Sequence, residues 1–155
     1  MRKRKPKLRI IKPDPRYGDP LVTQFVNNMM LQGKKSTAFT VFYQAMDIVK
    51  SRTGGDEYAV WKKALNNIMP QVEVRSKRIG GATFQIPVEI RPKRKLSIGI
   101  KWMVNFARKR SGKGMAEKLA AEVIAASKGE GAAVKRKEDT HKMAESNRAF
   151  AHFKV

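Results

Sequence analysis

Apolar residues recur at helical spacing along most of the chain and at alternate positions in only one stretch. Leu21, Val22, Phe25, Val26, Met29 and Met30 follow the first pattern and predict a helix with Asp19 as N-cap, Pro20 as first helical residue and Gly33 as stop. A second helix begins near Ser36 or Thr37, either of which can cap it, and carries Ala38, Val41, Phe42, Ala45, Ile48 and Val49 to Gly54 and Gly55. Asp56 caps a third, in which Trp61, Ala64, Leu65, Ile68 and Met69 face inward until Pro70 ends it. Pro92 opens a fourth, with Leu96, Ile100, Met103 and Ala107 on one stripe, Trp102 and Phe106 on its flank, and an end near Gly112. The fifth runs from Met115 through Leu119, Ala120, Val123 and Ile124 to Gly129 and Gly131. The sixth, from about Val134 to Phe150, is polar, with Met143, Ala144, Phe150 and Phe153 as its few apolar positions, as expected of a helix at the edge of a bundle.

Residues 72–90, VEVRSKRIGGATFQIPVEI, change to period two around Gly80 and Gly81 and predict a β-hairpin. A two-residue Gly-Gly loop places Arg75 and Lys77 on one face with Phe84 and Ile86. A three-residue loop of Ile79, Gly80 and Gly81 instead gathers Val72, Val74, Phe84, Ile86 and Val88, and on this ground the second register is expected, with Lys77 not opposite Phe84. Such a hairpin reaches about 25 Å at ~3.3 Å per residue, and two strands alone cannot form a core, so it should project from the bundle. Phe84 either packs against Val74 at the base of the ribbon or, if its face is open, stacks on a base. The fold class expected is mainly α: a six-helix bundle with one protruding two-stranded β-ribbon and an extended basic N-terminal arm.

Charge changes the picture from fold to partner. The 155 residues carry 34 Lys plus Arg against 13 Asp plus Glu, a formal charge of +21. Leu, Ile, Val and Phe supply 35 residues, enough for a modest core in one domain spanning residues 1–155, with an arm over 1–18 and the hairpin over 72–90. A compact chain with this charge repels itself and suits a polyanion, nucleic acid before membrane because the cations are spread over the whole sequence. No apolar run approaches the ~20 residues that span a bilayer, and a cytosolic location is expected. There is no cysteine, which excludes disulfides, Cys-zinc sites and thiol nucleophiles.

No catalytic constellation stands out. Neither Lys34 nor Lys113 sits in a phosphate-cradling glycine loop, and His141 and His152 are not spaced as a helical zinc pair, so structural or phosphate-contacting roles suit both. The acids are placed to pair with basic neighbours along helices, as Glu138 with Lys142. No cofactor, metal or small-molecule substrate is expected. The cations, by contrast, cluster: Arg2, Lys3, Arg4, Lys5, Lys7 and Arg9 in the arm; Lys34 and Lys35; Arg75, Lys77, Arg78, Arg91, Lys93, Arg94 and Lys95 at the hairpin; Lys101, Arg108, Lys109, Arg110 and Lys113; and Lys135, Arg136 and Lys137. Each cluster alone is an ordinary solvated face; together, with so few acids to neutralise them, they outline a nucleic-acid footprint.

The blocks PDPRYGDPLVTQFVN, GKKSTA, VEVRSKRIGGATFQIPVEIRP, ARKRSGKGMAEKLAAE and KRKEDTHKMAESNRAFAHFKV resemble, in order and over nearly the whole chain, the bacterial form of the small-subunit ribosomal protein seven family. The resemblance implies six helices with a protruding ribbon, primary binding to the 3′ major domain of small-subunit rRNA, nucleation of head assembly, and a position near the exit-site tRNA and the mRNA path. It places the arm, Lys34, Lys35, the hairpin base, Arg108, Lys109, Arg110, Lys113, Lys135, Arg136, Lys137 and Arg148 on rRNA; Lys101 and His141 join them as phosphate contacts. It directs the ribbon tip, Arg78, Ile79, Gly80, Gly81 and Ala82 with Phe84, towards the exit-site tRNA. Neighbouring head and platform proteins are further expected partners. Many bacterial members continue past the AHF block into a longer tail, so contacts made by that tail are not carried over. An architectural or regulatory DNA-binding protein is the competing reading, and an RNA-modifying enzyme comes third.

Overall fold

The structure, a computed structural model, describes residues 9–153. Six helices occur among them, α1 (Pro20–Met29), α2 (Lys35–Thr53), α3 (Glu57–Ile68), α4 (Pro92–Lys109), α5 (Met115–Ser127) and α6 (Ala132–Ser146). Antiparallel strands β1 (Val72–Ile79) and β2 (Ala82–Glu89) lie between α3 and α4, and a 3₁₀ turn (Arg148–Phe153) follows α6. The chain is mainly helical with one two-stranded ribbon, as its periodicity predicts. Residues 1–8 of the expected arm lie outside the described residues, and the arm's last residues are packed rather than free: Asp14 is buried and accepts the N–H groups of Arg16 and Tyr17.

Both predicted aspartate caps form, Asp19 Oδ1 accepting from Leu21 N–H at 2.8 Å and Asp56 Oδ1 from Tyr58 N–H at 3.0 Å. The expected hydroxyl cap on α2 does not. Gln32 (φ 53°) and Gly33 (φ 74°) turn the chain early, so the helix starts at Lys35 and its first repeat closes on the Lys34 carbonyl, before either Ser36 or Thr37. The sixth helix also differs from expectation, starting at Ala132 and ending at Ser146. Its N-terminus is capped from another helix, the Ala133 N–H donating to Glu122 Oε1 of α5 at 3.1 Å. At its other end both the backbone N–H and the side-chain amide of Asn147 donate to the Met143 carbonyl, closing the helix ahead of the 3₁₀ turn.

The core forms where the apolar stripes of α1 to α5 meet. Phe25, Phe42 and Trp61 are fully buried and pack at steep angles, with ring centroids 5.5–5.6 Å apart. Met46, Leu65, Ile68, Ile100, Met103 and Leu119 fill the space around them, each worth roughly 1.5–3 kcal/mol relative to an exposed side chain. Gly99 lets α4 approach the end of α3: a Cβ there would lie 2.8 Å from Met69 Cγ and 3.5 Å from Leu65 Cδ1. Close packing thus explains a glycine that helix propensity alone disfavours.

The ribbon overturns the predicted register. Lys77 lies opposite Phe84, Arg75 opposite Ile86 and Val74 opposite Pro87, around a two-residue Gly80-Gly81 loop. Both glycines take positive φ, 57° and 92°, as a twist-matched two-residue turn requires. The cost of mixing charge with apolar groups on one face is removed by tertiary partners. Glu73 on that face is buried between Arg75 and Arg94, and Phe84 packs on Phe150 of the 3₁₀ turn with centroids 5.3 Å apart. Phe84 therefore neither meets Val74 nor lies open at the tip.

Candidate nucleic-acid interface

The cations are presented by elements whose own requirements explain their positions. Arg108 and Lys109 occupy the last turn of α4, where positive charge faces the negative end of the helix dipole. Arg108 Nη2 also donates to the Met29 carbonyl at the end of α1, at 3.0 Å, so one guanidinium links two helix termini. Arg110, just beyond the helix, donates through Nε to Glu122 Oε2 at 2.5 Å; Glu122 has no exposed surface and caps α6 with its other oxygen. That carboxylate joins the loop carrying Lys113 to the start of the helix carrying Lys135, Arg136 and Lys137.

The hairpin base is a second organised cluster. Arg75 Nη2 and Arg94 Nε reach Glu73 at 2.6 and 2.8 Å. Burial pushes the Glu73 carboxyl up, but these two guanidinium hydrogen bonds outweigh it and hold the group below its ordinary value. Lys95 Nζ donates to Gln71 Oε1 at 2.9 Å, while the Gln71 N–H donates to His141 Nε2 at 3.0 Å. His141 is therefore a neutral acceptor that docks α6 on the ribbon. Burial lowers its pKa, and the positive charges of Lys137 and Lys95 lower it further. Arg75, Lys77, Arg91 and Arg94 line an open cleft of about 1000 Å³ beside this base.

Lys34, Lys35, Lys101, Lys113, Lys135, Arg136 and Arg148 are exposed, as is Arg9, while Lys137 is half-buried. Lys35 Nζ sits 5.7 Å from the Phe39 ring centroid. The tip residues Arg78, Gly80, Gly81 and Ala82 are exposed and Ile79 is half-buried. Arg2, Lys3, Arg4, Lys5 and Lys7 fall outside the described residues. The acids do not pair along helices as expected, and no ion pair joins Glu138 to Lys142 among the described residues. Apart from Arg75 with Glu73, two residues apart in β1, the pairs instead cross the fold: Arg16 to Asp47 at 2.7 Å, Lys62 to Asp19 at 3.2 Å, Arg94 to Glu73 and Arg110 to Glu122.

One cluster escaped sequence reasoning. Tyr17 stacks on Tyr58, centroids 5.2 Å apart and planes 11° from parallel; Tyr43 donates to Asp14 at 2.6 Å and Tyr58 to Asp19. Burial and the hydrogen bond to Asp14 push Tyr43 up to about 12. The cluster pins residues 14–19 against α2 and α3.

Over residues 1–148 the sequence matches the family described as Ribosomal protein S7p/S5e. The chain belongs to that family. It is 58% identical over 154 residues to the small ribosomal subunit protein uS7 of Cytophaga hutchinsonii, covering 99% of each chain. The protein of the same name from Amoebophilus asiaticus is 59% identical over the full length of both, and that from Porphyromonas gingivalis 62% identical over 157 residues, 99% of each. The S7 family consists of structural proteins of the small subunit, acting in translation, and is not a known enzyme family. RNA binding is implied by membership, and the exposed cations on α2, α4, α6 and the ribbon are the surface this structure offers for it.

Proposed function

We propose that this chain acts in the bacterial cytoplasm as a primary rRNA-binding protein of the small subunit. It binds the 3′ major domain, nucleates assembly of the head, and lies beside the exit-site tRNA and the mRNA path. The observation that carries the reading is the dispersal of exposed cations over α2, α4, α6 and the ribbon around one helical core. A single groove would suit one duplex, whereas separated patches fit the several phosphate backbones that converge at an RNA junction. The mechanism is charge neutralisation and shape-fixing, without catalysis. Lys34, Lys35, Lys113, Lys135 and Arg136 supply flexible or bidentate phosphate contacts; Arg108 and Arg110, held by Met29 and Glu122, supply oriented ones. The ribbon tip faces the exit-site tRNA, and the arm, head proteins and platform proteins complete the contacts.

Hydroxyl-radical footprinting on small-subunit rRNA tests this. Protections confined to the 3′ major domain and resistant to excess duplex DNA are expected. Protections scattered over other domains, or lost to duplex DNA, would favour the DNA-binding alternative or a purely non-specific polycation.

A further inference from the structure

The flank of α4 carries aromatic surface for which phosphate binding has no use. Trp102 and Phe106, one helical turn apart, each lean on the core and remain half-buried, with exposed Asn105 beside them. Together with Arg108, Lys109 and Arg136 of the neighbouring α6, they line a cleft of about 340 Å³. Lys109 Nζ lies 5.8 Å from the Phe106 ring centroid.

Three features of this cleft point to one kind of ligand. Its size is at the lower end of sites that take small planar groups, roughly 300–1,000 Å³, too small for a duplex. Its wall is aromatic and its rim is cationic on both sides, so the group it takes combines a π-face with adjacent negative charge. Asn105 adds an amide that can donate and accept at once, the combination that reads a base edge. Phosphate alone would leave the indole and phenyl surfaces wet, and an apolar protein side chain would set no negative charge against the cationic rim.

We propose that this cleft receives a single unstacked base of the rRNA, lying against Trp102 and Phe106 with Asn105 at its edge and Arg108, Lys109 and Arg136 on the flanking phosphates. The proposal rests on the rRNA-binding reading and deepens it from phosphate contact to base recognition at one point. Aromatic stacking tolerates any base, so selectivity at this point falls to Asn105 and to the RNA shape that extrudes the base.

The chain has two tryptophans, and Trp61 is fully buried, so an external quencher reports chiefly on Trp102. The experiment titrates the full chain with a transcript of the 3′ major domain and with a shuffled RNA of equal length, following tryptophan emission and its quenching by acrylamide. Binding of the transcript should quench Trp102 and shield it from acrylamide. Trp102→Phe should abolish the optical change yet keep affinity within about threefold, since a phenyl ring still stacks. Trp102→Leu with Phe106→Leu should weaken binding by about tenfold or more while leaving its salt dependence unchanged, because no phosphate contact is removed. Asn105→Ala, at an exposed position, guards against misfolding of that pair and should weaken binding several-fold. If the wild-type chain discriminates the transcript from the shuffled RNA while Trp102 stays open to acrylamide, the base pocket is wrong and the rRNA reading stands. If it fails to discriminate the two, the rRNA reading itself is wrong.

Discussion

Gly99 shows how one absent methyl group sets the approach of two helices. A Cβ there would lie 2.8 Å from Met69 Cγ, which is near the root of that side chain, with the Met69 Cα only 3.7 Å away. Gly99→Ala gains up to about 1 kcal/mol of helix propensity but incurs overpacking of roughly 1–3 kcal/mol, so a net loss of about 1 kcal/mol is expected in urea unfolding. Shortening Met69 to Ala in the same chain should recover part of the loss caused by the clash. His141 gives a pH signature. Its pKa is depressed in the folded state by burial and by Lys137 and Lys95, so the unfolded chain binds the extra proton first as pH falls. Its contribution is whole above the ordinary value of 6.5 and is lost as pH drops towards the folded value. Unfolding midpoints should therefore fall as pH drops through the ordinary histidine range, before the carboxylates titrate, and the fall should be absent in His141→Gln. Individual residues were unevenly legible. Asp19 and Asp56 declare themselves as caps because their partners are two residues away. Glu122 reads as a solvated acid because its partners, Arg110 and Ala133, are 12 and 11 residues distant.

Among the elements, the ribbon teaches most. Its apolar alternation argues for one register and its turn chemistry for the other, and the turn prevails because both glycines supply positive φ while Glu73 finds Arg94 21 residues away. Local pattern could not show that partner. Gly80→Asn, a residue that tolerates this conformation, should keep the NMR cross-strand contacts between Lys77 and Phe84, whereas Gly81→Val should abolish or shift them. Retention of those contacts in Gly81→Val would mean that the stem, and not the turn, sets the register. The helices themselves are legible from spacing alone, with ends moved by a few residues where a tertiary cap intervenes. At the start of α6 that cap is Glu122. Glu122→Ala would leave the Ala133 N–H and the Arg110 guanidinium without their acceptor, and a loss of about 2–4 kcal/mol is expected in chemical denaturation. Rescue by Glu122→Gln should be partial, since an amide oxygen can still accept from the Ala133 N–H.

For the whole molecule, composition and charge point to a polyanion, and the resemblance to the S7 family points to rRNA. Charge alone could not show which cations are organised. Arg75, Arg94 and Arg110 share carboxylates inside the protein, while Lys34, Lys35, Lys113 and Lys135 stand exposed. Nor could it show the aromatic cleft, because Trp102 and Phe106 read equally well as core until Arg136 of α6 is seen across from them. The central claim is that these separated patches recognise a folded RNA junction rather than phosphate in general. The most direct measurement is the affinity of the intact chain for a transcript of the 3′ major domain beside a shuffled RNA of equal length, across a salt series. A gap of two or more orders of magnitude that persists at about 0.2 M salt, where non-specific phosphate binding has fallen steeply, is the result expected. Equal affinities falling together with salt would contradict the account and leave only a polycation.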